Sequence, residues 1–180
     1  MSDKSKKIIC AVRTEEDFSF ALCAAPEVIF DLNPDLFTLQ NRVEAAHARG
    51  KRLFIHMDLA TGIGKDKSGI LYVKQAGVDG IISTRVNMIK MARESGIFTV
   101  QRFFAVDSQS IDTTVDSVRS AKPDMAEIMP GTQSKIVARL SEELALPIIA
   151  GGLIETEDEV SSALAAGAVS VSTGKRELWG

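Results

Sequence analysis

The chain has 180 residues, 45% of them hydrophobic, 25% charged and 6% aromatic, with a formal net charge of −3. That length buries a core without disulfide or metal staples, and the balance excludes a disordered chain. The slight negative charge excludes a global basic field of the kind that draws a protein onto nucleic acid or an anionic membrane. Cys10 and Cys23 are too far apart for a CxxC redox or zinc motif, and Cys10, set in an apolar run, reads as a small buried residue. No signal peptide is visible and no apolar stretch approaches the ~20 residues of a membrane span, so we expect no membrane contact and a cytoplasmic location.

Strand-like runs alternate with amphipathic helical stretches along the chain. The first run is Lys7–Val12. Thr14 ahead of Glu15, Glu16 and Asp17 then predicts a helix N-cap with an acidic first turn. Runs at Val28–Leu32 and Arg52–Asp58 follow, and Gly50 ends the helix between them. Gly77 leads into Gly80–Thr84 and Gly96 into Phe98–Phe104, where a glycine just past a helix end is expected. Pro123 precedes Met125–Met129, and Pro147–Ala150 opens on its own proline. Thr156 with Glu159 forms a capping-box pattern, and Gly167 precedes the last run, Ala168–Ser172. The segment from Lys175 to Gly180 is little more than a turn. Eight strand–helix units predict an α/β fold, a compact (β/α)8 TIM-barrel-like single domain over residues 1–180, small beside the ~250 residues typical of that barrel. A doubly wound open sheet is the alternative.

In such a barrel, ligands bind at the C-terminal ends of the strands, and phosphate often sits at the loops after strands seven and eight. Here those loops read Gly151-Gly152-Leu153 and Thr173-Gly174-Lys175. Glycine lets backbone N–H groups approach an anion closely. The hydroxyls of Ser172 and Thr173 add donors, and a short helix from Lys175 would point its N-terminus at the phosphate. Gly151, Gly152, Ser172, Thr173 and Gly174 are therefore expected to form a phosphate site, although such glycines also serve simply as tight turns.

His56 and Asp58 alternate with Ile55 and Met57, which places both on one strand face; we expect that face to point inward near the rim. The same reasoning places Glu127, Gln101 and Arg102 there, with Asp31, Arg13 and Arg85 at other strand ends. A buried pair of His56 and Asp58 holding a loop is the plainer reading. His56, Asp58 and Glu127 match no closed metal spacing, so neither metal nor cofactor is expected.

Six segments occur in a specific order: His56-Met57-Asp58-Leu59, Asp79-Gly80-Ile81-Ile82-Ser83-Thr84, Val100-Gln101-Arg102, Glu127-Ile128-Met129-Pro130-Gly131, Ile148-Ile149-Ala150-Gly151-Gly152-Leu153-Ile154 and Val171-Ser172-Thr173 with Glu177-Leu178-Trp179. From about Ile8 to Trp179 the chain resembles the glycerol-3-phosphate-responsive antiterminators of bacterial glycerol operons. The resemblance implies a TIM-barrel-like regulator rather than an enzyme, with glycerol 3-phosphate as effector and a leader mRNA as target. It implies Gly151, Gly152, Ser172 and Thr173 for the phosphate end, and His56, Asp58, Gln101, Arg102 and Glu127 for the glycerol end. Three positions depart from the pattern: Arg85 replaces a lysine, Gly174 a serine, and Asp31 falls in a segment expected to be apolar.

The alternative is a barrel enzyme acting on a small phosphorylated substrate such as a triose or glycerol phosphate, with Glu127 and His56 as acid and base. Basic residues cluster at Lys4-Lys6-Lys7, Arg49-Lys51-Arg52, Lys65-Lys67 and Lys90-Arg93. Each cluster alone reads as solvated surface, and no RNA-binding motif is present. Lys65 and Lys67, in a glycine-bearing rim loop, are the candidate RNA contacts. The oligomeric state is not legible in the sequence.

Overall fold

A computed structural model describes residues 7–105 and 107–180; Lys4 and Lys6 of the first basic cluster lie outside them. Eight parallel strands run in chain order around a closed barrel: β1 (Ile8–Val12), β2 (Val28–Asp31), β3 (Arg52–His56), β4 (Gly80–Ser83), β5 (Phe98–Phe104), β6 (Met125–Met129), β7 (Ile148–Gly151) and β8 (Ser170–Thr173). Ile8 to Cys10 pair with Val171 to Thr173, which closes the ring and excludes the open sheet. Seven helices cover it among the described residues: α1 (Glu15–Cys23), α2 (Leu39–Ala48), α3 (Lys67–Gln75), α4 (Val86–Glu94), α5 (Ser108–Ala121), α6 (Ser134–Glu143) and α7 (Glu157–Ala165). None is long and apolar enough to cross a membrane.

Two strand boundaries move in a way that matters. β3 stops at His56, and Met57–Leu59 forms a 3-10 turn, so Asp58 is not a strand residue. β7 extends through Gly151. The helix signals hold: Thr14 with Asp17 and Thr156 with Glu159 both form capping boxes, and the four glycines that end helices all have positive φ.

Strand alternation sorts side chains into two layers. Ile9, Phe30, Phe54, Ile82, Val100 and Ile149 fill the barrel interior. The intervening residues, among them Cys10, Ile29, Leu53, Ile55 and Ile81, pack outward beneath the helices. Burial there pushes the Cys10 thiol up to about 12, which leaves it an inert packing residue.

No eighth helix follows β8. A 3-10 turn, Arg176–Leu178, takes its place, and the fully buried Trp179 fills the gap. Its indole donates to the Thr173 carbonyl at 3.0 Å, and its ring lies 5.9 Å from that of Phe20 on α1. Arg176 reaches Asp17 at 2.6 Å and Glu16 at 2.7 Å, fastening the turn to the same helix.

Asp31 is fully buried on the outward face of β2, where an apolar residue was expected. Arg42 of α2 explains it, donating to Asp31 at 2.7 Å and to Glu15 at 2.7 Å. A buried charge that loses its partner is left uncompensated. Asp31→Ala should therefore cost about 3–5 kcal/mol in chemical denaturation. A loss below about 1 kcal/mol would show the pair to be incidental.

Candidate functional site

The C-terminal ends of β1, β5, β6, β7 and β8 enclose a cavity of about 260 Å³. Arg102, Glu127, Gly152, Ser172, Thr173 and Gly174 line it, together with Arg13, Leu153, Glu155 and Lys175. The expected phosphate loops and part of the expected polar cluster therefore converge on one space.

Its floor is a buried chain of polar contacts. Glu127 on the inner face of β6 has no exposed surface. One carboxylate oxygen accepts from Arg102 Nε at 2.6 Å and the other from Ser172 Oγ at 2.5 Å. Arg102 and Glu127 are directly opposed across the β5–β6 ladder. A Cβ on Gly151 would fall 2.4 Å from Glu127 Oε1 and 2.6 Å from Ser172 Oγ. Gly151 is glycine because the carboxylate occupies the space of its side chain, so it shapes the floor without lining the cavity.

Several sequence-based assignments change. Val100 faces the interior and Arg102 lines the cavity, so Gln101 between them points outward beneath the helices. It is fully buried with neither amide atom partnered, and it cannot meet a rim ligand. Asp58 is turned toward the loop after β4. It accepts from Ser83 Oγ at 2.7 Å, from Thr84 N at 2.7 Å and from Thr84 Oγ1 at 2.9 Å. Burial works to raise its pKa, but these hydrogen bonds outweigh it and hold the carboxyl below its ordinary value. Asp58 is an anchor between two loops and not a wall of the cavity.

Thr173 also has structural work. Its hydroxyl donates to the Ile154 carbonyl at 2.7 Å and accepts from Lys175 N at 3.0 Å. Ser172 gives its proton to Glu127. Neither hydroxyl therefore has a proton left for an anion, and a 3-10 turn is too short for the helix-end contribution expected at Lys175. The cationic side chains that line the space are Arg13, Arg102 and Lys175. Arg13 was legible only as a strand-end residue beside the Thr14 cap, and nothing in the sequence aimed it at the phosphate loops.

His56 sits at the inner end of β3, buried, with Nδ1 unpartnered. Burial, and then the nearby positive charge of Arg102, push its pKa down to about 4. His56, Asp58 and Glu127 are not brought together, and among the described residues no cluster of three metal-ligating side chains occurs. Lys65 folds back to donate to the carbonyls of Ala60 and Ile63, so it clamps its own loop rather than projecting outward. Burial lowers its pKa. Lys67 opens α3 and is exposed.

Residues 8–179 match the family model described as glycerol-3-phosphate responsive antiterminator. The chain belongs to that family. This antiterminator-family chain is 34% identical, over 177 residues, to YgcP of Escherichia coli (strain K12), covering 98% of this chain and 93% of that protein. It is similar to the glycerol uptake operon antiterminator regulatory protein of Listeria monocytogenes, with 32% identity, a TM-score of 0.92 and coverage of 99% of this chain and 97% of the other. A glycerol uptake operon antiterminator-related protein of Thermotoga maritima MSB8 gives 32% identity and a TM-score of 0.86, covering 97% and 98%.

Two outcomes follow from the floor and from His56. Gly151→Ala should destabilise the fold by about 1–3 kcal/mol through overpacking against Glu127. Gly174→Ala, whose Cβ would meet only the Ala11 carbonyl at 3.4 Å, should change stability by less than about 0.5 kcal/mol. Equal effects in chemical denaturation would remove the steric account.

His56 has a folded pKa of about 4 against 6.5 for the model value. Between these values the unfolded chain takes up a proton that the folded one does not, so acid favours unfolding. Stability should fall by about 3 kcal/mol on going from pH 6.5 to pH 4 on this account. The His56→Gln profile should be flatter by that amount; parallel profiles would assign the acid sensitivity elsewhere.

Proposed function

We propose that this family member is a regulator that binds glycerol 3-phosphate in the rim cavity and acts on the leader mRNA of a glycerol operon, preventing transcription termination. The observation that carries the reading is the convergence of Arg13, Arg102 and Lys175 on a small cavity at the ends of β7 and β8, in a chain of the antiterminator family. Three cations suit a phosphate monoester dianion. Gly152 and Leu153, both with positive φ, bring the β7 loop to the cavity wall. Glu127 and Ser172, on the polar side of the floor, are the acceptors placed to meet the glycerol hydroxyls.

The same geometry supports binding over catalysis. Glu127 is held between two hydrogen-bond donors, which leaves it poorly placed to take a proton from substrate. His56 is neutral and turned among buried groups. A sensor needs only a ligand that binds one state better than another.

Glycerol 3-phosphate should raise the melting temperature in a buffer free of phosphate, while glycerol should not. At a hundred times the dissociation constant the stabilisation is about 2.7 kcal/mol. A leader transcript of a glycerol-uptake operon should be retarded in a gel more strongly when the ligand is present. NMR of the incubated ligand should show no product. Equal shifts for glycerol and its phosphate would remove the effector assignment, and turnover would favour the enzyme.

A further inference from the structure

Charge is unevenly distributed around the rim. α1 and α7 each open with three acidic residues, whereas α2 to α6 have none in their first turns. The α1 and α7 starts flank the turn after β8, so the arc formed by the loops after β2, β3, β4 and β5 is free of such acids. The carboxylates on that arc are already engaged. Asp35 accepts from Phe37 N, Asp58 from Ser83 and Thr84, and Asp66 and Asp107 cap α3 and α5. Lys67 and Arg85 are exposed there, the Arg85 side chain by 56%.

The same arc displays large apolar side chains. Phe37 is 87% exposed, Phe104 60% and Leu59 47%. The loops that carry them are tied into one surface. Asp35 bridges Thr61, Asp58 holds Thr84, and Thr84 and Phe104 line one groove. Arg102 forms part of both that groove and the ligand cavity, so the two share a wall.

Resting on the regulatory reading above, we propose that this arc is the RNA-docking surface and takes unpaired nucleotides, with bases stacked on Phe37 and Phe104 and phosphates against Lys67 and Arg85. Projecting aromatic rings need base faces to stack on, which a duplex hides and a loop or single strand offers. Exposed cations among carboxylates already committed within the protein give a locally positive patch on a chain whose net charge is −3. The shared Arg102 wall puts a bound ligand in contact with a residue that also borders the RNA groove.

The test uses the full chain with glycerol 3-phosphate present, and a labelled glycerol-operon leader transcript followed by fluorescence anisotropy at two salt concentrations. Phe37→Ala and Phe104→Ala should each weaken binding by roughly five- to a hundred-fold. Arg85→Glu should lower affinity and flatten the logarithmic salt slope by about one. Lys122→Glu, at the opposite end of the barrel where α5 leads into β6, should bind as the parent does. Unlabelled single-stranded leader RNA should compete, and the same sequence annealed into a duplex should not. Thermal stabilisation by glycerol 3-phosphate, unchanged in every variant, verifies folding and the ligand site. Cross-linking of 4-thiouridine-substituted transcript should fall on peptides containing Phe37 or Phe104. If the parent binds and the rim variants bind equally well, or the duplex competes equally, this surface is overturned, the regulatory reading stands, and the arc is left to a protein partner. If the parent binds no leader RNA in the presence of ligand, both fall together.

Discussion

The carboxylate of Glu127, set inside the barrel with no solvent contact, is the constraint around which the rim is built. A buried charge is tolerable only when paired and hydrogen-bonded. Arg102 supplies the opposite charge from β5 and Ser172 a proton from β8. Between those strands β7 must bring its backbone against the carboxylate without a side chain, which fixes glycine at 151. Gly131 answers to the same crowding, since a Cβ there would lie 2.8 Å from Gly151 N. Four strands are thus held to one arrangement by one ionised group, and the cavity above them inherits its shape.

That arrangement also separates residues that hold the site from residues free to meet something. Ser172, Thr173 and Asp58 are polar, close to the rim and chemically suitable, yet each has its hydrogen-bonding capacity occupied by protein. Arg13 and Lys175 lie farther out and line the open space. A cavity whose inner polar groups are mutually satisfied presents a ligand with a fixed template, so little ordering cost is left for binding. It also offers few groups ready to exchange protons, which supports recognition over turnover.

Much of the fold was legible in the sequence because strand and cap signals are local. Thr14, Thr156 and the glycines that end helices act within a few residues, and they sit where the pattern placed them. The cluster of Arg102, Glu127 and the β7–β8 loops was legible because strand ends in a barrel share one rim. The misplacements have two physical causes. Asp58 was read as continuing β3 because His-Met-Asp keeps an alternating pattern, but the chain turns into a 3-10 helix after His56 and the period is lost. Gln101 was grouped with Arg102 on polarity alone, although neighbours on a strand face opposite ways. The partners of Thr173 and Lys65 are backbone carbonyls, which no side-chain pattern reveals. Asp31 needed a partner eleven residues away in α2, whose Arg42 gave no sign of pairing in the sequence.

His56 has one more consequence. The chain contains two histidines, and the other, His47, is surface-exposed and bonded to Asp79. His56 lies within electrostatic reach of Arg102 and Arg13, two residues of the cavity wall, and stays uncharged down to about pH 4. The side chain whose ordinary titration falls nearest neutrality is thereby silenced at this site. A phosphate monoester acquires its second charge near pH 6. Any acid–base sensitivity of occupancy across the physiological range would then be a property of the metabolite's own ionisation, and the receptor would act as a fixed electrode against which that ionisation is read.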